Sequence, residues 1–353
     1  MSYRERTMKI TLRLATVAAA IAVGSAHAQS TVTIVSHPIA TMPQYTKVDV
    51  PLLRDELPKK AKINVNLAAW SERNVAGPEV LRLVRSGQVD IGAAPLATVS
   101  GDVPFLDAAD MAGLNPTVEQ ARRAAAAMVP TANKELERVG LRIIATFPYT
   151  AQVFFCRGNV ASLADLKGKK VRSFGGSLND LIAAVGAQPV GLPFGEVYGA
   201  LERGVVDCAI TGTGSGNSAK WFEVANTMYV LPVAWSTGAY YANLAWWNKL
   251  DPATRGAIET QFKAVEDGLW KMGADATDDG VQCNVGNAAG CKIGSTVTSR
   301  PMKANMPTDA DKAEIRKALN EKVLPAWVQR CGARCGDVFN EVLGPITGVK
   351  YVK

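Results

Sequence analysis

Lys170-Val171-Arg172-Ser173 reads as a strand with an arginine near its carboxyl end, and open α/β sheets hold their ligands beyond the carboxyl ends of their strands. A guanidinium presents a planar fork of donors that fits a carboxylate through two hydrogen bonds. It also keeps its charge when a closing cleft expels water. Thr211-Gly212-Thr213-Gly214-Ser215-Gly216-Asn217 is a glycine-rich loop ahead of a helix expected at Ser218, and its free amides are a second candidate anion site. It loosely mimics a dinucleotide fingerprint. The strand that should follow with a suitably spaced acid is missing, so nucleotide binding gains no support. Trp70, Tyr149, Phe194 and Trp235 together could sandwich a ring or sugar, although aromatics more often sit in a core.

Catalytic chemistry is poorly provided for. The chain has two histidines, His27 and His37, and the first falls in an apparent export leader. A Ser-His-Asp arrangement would therefore depend on His37 alone, no G-x-S-x-G elbow is present, and a multi-histidine metal site is excluded by count. Glu72 and Asp102 could serve as an acid and base pair, but nothing in the sequence brings them together. No metal and no cofactor are expected. The six cysteines, Cys156, Cys208, Cys283, Cys291, Cys331 and Cys335, all lie in the exported part, where an oxidising compartment permits disulfides. Short loops favour Cys283 with Cys291 and Cys331 with Cys335, exchange between those two neighbourhoods stays open, and Cys156 and Cys208 are either bridged or simply buried.

The elements that must carry these groups begin after residue 28. Basic Arg4, Arg6, Lys9 and Arg13, an apolar run over 14–23 and Ala26-His27-Ala28 form a signal peptide over residues 1–28, with Met8 as an alternative start. The run is too short to span a bilayer, which needs roughly 20 residues. Removing the leader's four basic residues and one acidic residue lowers the formal charge from +7 to +4. That surplus comes without a Lys/Arg block and argues against nucleic-acid binding.

The remaining 325 or so residues call for two lobes. Strands are expected at 31–35, 63–67 and 89–92, with helices over 45–57 and from Pro78 to Gly87. This is a β-α-β-α-β order that implies a parallel sheet. After a helix over 117–139 and a strand over 141–147 the pattern restarts. Strands at 153–155, 170–173, 189–190 and 205–210 alternate with helices at 163–166, 179–185 and 196–203. A strand at 240–243 returns to the first lobe, and a helix from Asp251 to about residue 272 is long enough to pack on both lobes. A further amphipathic helix spans 309–328, interrupted at Pro325. The expected division is 29–148 plus 236–272 for lobe I and 149–235 plus 273–353 for lobe II.

The block Ser162-Leu163-Ala164-Asp165-Leu166-Lys167-Gly168-Lys169-Lys170-Val171-Arg172 is followed by Gly186-Ala187-Gln188-Pro189-Val190, then by Pro193-Phe194-Gly195-Glu196-Val197-Tyr198-Gly199-Ala200-Leu201 and Gly204-Val205-Val206-Asp207. With Gly87-Gln88-Val89-Asp90-Ile91-Gly92, Gly140-Leu141-Arg142 and Trp246-Trp247-Asn248-Lys249-Leu250-Asp251-Pro252, it resembles the solute-binding subunit of tripartite ATP-independent periplasmic (TRAP) transporters, of the DctP type. The resemblance runs to about residue 275 and leaves the cysteine-rich tail unassigned. It implies a two-lobed periplasmic binding fold, type II-like, each lobe a mostly parallel sheet flanked by helices, with the ligand in the interlobe cleft. It makes Arg172 the carboxylate clamp, Phe194 an aromatic against the ligand and Thr211 a polar contact. Gln152 stands about where some acid-binding relatives carry a second arginine.

Ser36, His37, Trp70, Ser71 and Thr98, at strand ends of the first lobe, are expected to face the cleft. The implied function is capture of a small organic monocarboxylate (a sugar acid, hydroxy acid or aromatic acid) by hinge closure, followed by delivery to large and small permease subunits, by a largely monomeric periplasmic protein. An ATP-driven importer's binding subunit or a sensor domain would share the fold. A secreted hydrolase has no site of its own.

Overall fold

A computed structural model describes residues 30–293 and 296–352. The expected signal peptide, residues 1–28, lies outside the described residues. Among the described residues, eleven strands form two sheets. Strands β1 (Thr31–Val35), β2 (Asn64–Ala68), β3 (Ile91–Pro95), β4 (Leu141–Phe147) and β10 (Gly238–Asn243) build the first sheet, in the order β2-β1-β3-β10-β4. Strands β5 (Gln152–Cys156), β6 (Lys170–Ser173), β7 (Gln188–Gly191), β8 (Cys208–Gly212), β9 (Thr227–Ala234) and β11 (Lys303–Asn305) build the second, in the order β11-β9-β5-β8-β6-β7. In the first sheet β1 runs parallel to β2 and β3, and β10 is inserted antiparallel. In the second, β6, β7 and β8 are mutually parallel beside antiparallel β5. The carboxyl ends of β6, β7 and β8 therefore share one edge, the position a solute site requires.

Strand β9 has no counterpart among the expected elements, and the reason is local. Pro232 reads as a strand breaker because it cannot donate to a ladder. Gln152 pairs with Ala234 while Phe154 pairs with Tyr229, so the ladder bulges in between, and Pro232 sits in the extra length. Strand β3 begins two residues later than expected, at Ile91. Val205, expected in a strand, is 48% exposed ahead of β8. The glycine-rich stretch is not a loop but the helix Thr213–Ser218.

The long helix runs Pro252–Asn284, well past residue 272. Its apolar stripe of Ile258, Phe262, Val265 and Leu269 packs under the first sheet. Its last turns swap bulk for close approach. A Cβ on Gly273 would stand 2.4 Å from Pro148 Cγ, and one on Gly280 would stand 2.6 Å from the Gly214 nitrogen. Small residues carry the helix from one sheet layer to the other, which an apolar-period reading does not register.

The tail is helical at Asp309–Ala318, Leu324–Cys331 and Ala333–Val342. A π-helical segment, Leu319–Val323, joins the first two of these into one continuous helical path, and Pro325 stands just past that irregular stretch, where its missing N–H breaks the regular ladder. The structure bridges Cys156 to Cys208, Cys283 to Cys291 and Cys331 to Cys335.

Two aspartates on the 3₁₀ segment Pro104–Asp110 tie neighbouring elements together. Asp107 accepts from the Ser177 backbone N–H and hydroxyl at 2.9 Å each. Asp110 accepts from the N–H groups of Trp235 and Thr237 at 3.1 and 2.7 Å, pinning the crossing between β9 and β10. Burial pushes the Asp110 carboxyl up to about 7, against the pull of those donors.

A carboxyl whose folded pKa is raised contributes stability that is full below about pH 4 and lost as pH rises through the folded value. Unfolding by urea should therefore show stability falling from pH 4 to pH 8, with Asp110 contributing on the order of a few kcal/mol of that fall. Asp110→Asn should flatten the slope; an unchanged slope would contradict the assignment.

Candidate functional site

Between the two sheets lies a cavity of about 440 Å³. On one side Pro38, Trp70 and Thr98 follow β1, β2 and β3. On the other, Arg172 and Ser173 end β6, Gly191 ends β7 and Thr211 stands near the end of β8. The two sides nearly touch at the back: a Cβ on Gly175 would stand 2.6 Å from the Ala97 methyl and 3.2 Å from its carbonyl oxygen. Only glycine lets these segments meet at this distance.

Arg172 is 2% exposed. Its Nε donates to the Leu192 carbonyl and its Nη1 to the Ile210 carbonyl, each at 2.9 Å, and Cζ lies 5.2 Å from the Phe174 ring centroid. These contacts fix the plane of the guanidinium while leaving Nη2 without a hydrogen-bond partner among the described residues. No carboxylate among the described residues is within ion-pairing distance. Burial alone pushes its pKa down to about 9. An isolated buried charge is costly, and among the described residues no Asp or Glu lines the cavity.

Seven of the expected site residues line this cavity together: Arg172, Gln152, Phe194, Thr211, Trp70, Tyr149 and Thr98. Trp70 spends its indole N–H on the Ala93 carbonyl at 3.1 Å, so it offers the cavity a ring face. Phe194 is braced by Trp221, with ring centroids 5.5 Å apart. Gln152 donates to the Thr150 carbonyl at 2.7 Å, which commits part of its amide and fixes its side chain.

Five expected residues lie elsewhere. Ser71 lines an adjoining recess that shares Pro38, Trp70, Gly77, Pro193 and Phe194 with the cavity. Trp235 turns into the core and donates its indole N–H to the Asn115 carbonyl at 3.0 Å. Its place in the aromatic lining is taken by Phe174. Gly212 is packed against Thr150 and Gln152. Two of the amides beyond it are spent within the protein, Thr213 on the Ala151 carbonyl and Gly214 on the Thr150 hydroxyl.

Ser36 and His37 are fully buried. The backbone of His37 takes a positive φ of 50° and turns its ring onto Tyr149, Tyr240 and Asp49. Ser36 donates to the same Asp49 oxygen that faces His37 Nε2, so the hydroxyl is not held by the imidazole and no nucleophile is activated. Glu72 is taken up by the Ala69 N–H and the Tyr45 hydroxyl.

Sequence reasoning missed Asn179, Ser236 and Arg330, all of which line the cavity; Ser215, from the glycine-rich stretch, lines it too. Asn179, expected to start a helix, lies within one that begins at Gly176, and its side-chain amide oxygen accepts from the Ser173 hydroxyl. Ser236 holds a φ of 49° on the crossing pinned by Asp110. The strand-loop-helix order after β6 was a usable signal for Asn179; nothing local marks Ser236 or Arg330.

Residues 58–323 match the profile of the bacterial extracellular solute-binding proteins, family 7 (DctP). A solute-binding protein of Albidiferax ferrireducens is 31% identical over 160 residues, covering 45% of this chain and 46% of that one. The 2,3-diketo-L-gulonate-binding periplasmic protein of Escherichia coli is 27% identical over 208 residues, 58% of this chain and 63% of its own. The chain thus spans about half to under two thirds of these relatives' lengths. Among solved structures, a TRAP periplasmic solute binding protein from Desulfovibrio salexigens with bound orotic acid superposes with a TM-score of 0.77 at 20% identity, over 90% of this chain and all of that one. A Bordetella pertussis extracytoplasmic solute receptor binding pyroglutamic acid gives 0.75 at 18%, over 89% and 99%. These likenesses bear out the expected two-lobed α/β fold.

Proposed function

The chain belongs to the bacterial extracellular solute-binding proteins of family 7, the DctP type that its central motifs resemble, and from that premise we propose that it captures a small organic monocarboxylate between its lobes and delivers it to TRAP membrane subunits. The family is one of extracytoplasmic solute receptors rather than enzymes. The observation that carries the reading is Arg172: a buried cation, held in plane by two carbonyls, with neither a counter-anion nor an acid in the cavity lining among the described residues. A carboxylate supplies the missing charge and takes up the free Nη2.

Thr211 and Gln152 sit on the same wall as neutral polar contacts, and Trp70, Tyr149, Phe174 and Phe194 surround an apolar or planar body. A single uncompensated cation fits one clamped carboxylate. Binding is by closure of lobe I (29–148 plus 236–272) on lobe II (149–235 plus 273–353), with the Gly175 and Ala97 segments meeting. The closed form docks on the large and small permease subunits, in a periplasm reached through the leader of residues 1–28. Relatives of this fold hold pyroglutamate, gulonate and galacturonate, which sets the panel to try.

Calorimetric titration with sugar acids, hydroxy acids and aromatic or cyclic monocarboxylates should yield at least one acid bound with micromolar or tighter affinity. Heats indistinguishable from dilution across the whole panel would overturn the reading.

A further inference from the structure

The cavity holds a second arginine, and it comes from the tail. Arg330 sits near the end of the helix Leu324–Cys331, beyond the stretch that matches the family, and it lines the cavity. Its Nη1 and Nη2 donate to the two oxygens of Asp180 at 3.0 and 2.6 Å. The side chain keeps 39% of its exposure, so it is not sealed away by that pair. A Cβ on Gly176 would stand 3.2 Å from Nη2 and 3.4 Å from Cζ and Nε, that is, over the flat face of the guanidinium. The absence of a side chain at Gly176 lets the arginine lie across the first turn of the helix Gly176–Ala184, which also carries Asn179 in the cavity wall.

The two cations differ in one respect that decides what each can take. Arg172 has no counter-charge among the described residues and calls for an anion. Arg330 is already neutralised by Asp180, so a second carboxylate would gain little there and would bring two acids close together. A guanidinium has five N–H groups, and Asp180 occupies two. The others have no acceptor among the described residues, and a neutral oxygen, such as a ketone, an amide carbonyl or a hydroxyl, is the partner that suits a compensated arginine.

We propose that Arg330 is a specificity-determining residue of the solute cavity, donating to a neutral oxygen that the solute carries in addition to its carboxylate. This inference rests on the carboxylate reading of Arg172. It gives the otherwise unassigned tail a role at the site, with the Cys331–Cys335 bridge following directly on Arg330.

Three acids of matched size test it on the full mature protein at millimolar concentration: hexanoate, 5-oxohexanoate, and glutarate, which replaces the keto methyl by a charged oxygen. The wild type should bind 5-oxohexanoate about tenfold more tightly than the other two. Arg330→Met should bring 5-oxohexanoate down to the level of hexanoate while leaving hexanoate within about threefold of wild type. Asp180→Asn uncovers the charge and should move the preference towards glutarate, an inversion that loss of a purely structural contact would not produce.

Equal affinities for hexanoate and 5-oxohexanoate in the wild type would overturn the proposal. So would unchanged discrimination in Arg330→Met, or failure of all three acids to bind. The underlying reading is judged separately: it fails if no carboxylate of the wider panel binds or if Arg172→Met binds as well as wild type.

Discussion

Arg172→Met should lose about a hundredfold or more in affinity for the bound acid. Truncating one member of a buried, hydrogen-bonded charge pair costs about 3–5 kcal/mol, and each 1.4 kcal/mol is a factor of ten. The same substitution should not destabilise the empty protein in proportion. Removing the guanidinium leaves the Leu192 and Ile210 carbonyls without their donor, at about 1 kcal/mol each. It also removes a buried charge that has no counter-ion among the described residues, whose desolvation costs several kcal/mol. Urea unfolding without ligand should therefore find the variant as stable as wild type or more so, while added acid, which stabilises wild type by mass action, should leave the variant unmoved. A structural arginine would give the opposite pair of results.

The second large effect is on stability. Cys156 and Cys208 are directly opposed on antiparallel β5 and β8 in the middle of the second sheet, both fully buried and 52 residues apart in sequence. Chain-entropy arithmetic for a loop of that length gives about 4 kcal/mol, against about 2.5 and 2 kcal/mol for the bridges of separation 8 and 4. Paired Cys→Ala variants, compared by urea midpoint under non-reducing conditions, should rank in that order. Equal losses from all three pairs would contradict the ranking.

Much of the site was legible because strand ends are legible. Lys170-Val171-Arg172-Ser173 reads as a strand, and Arg172, Trp70 and Thr98 follow from where strands stop, whereas the contact roles of Phe194 and Thr211 come from the family resemblance. What a strand end does not reveal is which way the next residue turns. Ser36 continues the ladder, its N–H bonding the Ala68 carbonyl, and His37 swings inward at positive φ, so both reach Asp49 instead of the cleft. Gly212 followed the same rule but lies under Thr150. Arg330 shows a different limit: it reaches the cavity only because Trp327 docks its helix on the Pro104 carbonyl at 2.8 Å and Asp180 clamps its side chain. Such long-range contacts leave no local pattern. The long helix was cut short for a related reason, since Gly273 and Gly280 signal close packing only once their neighbours are known.

The most direct test of the central claim is a crystal structure of the protein with the acid that the titration selects. One carboxylate should be bridged by the Arg172 guanidinium at about 2.7–2.9 Å, the usual range for such charged pairs, with the body of the solute against Trp70 and Phe194. A solute seated in the cavity with its carboxylate directed away from Arg172, or seated outside the cavity, would contradict it.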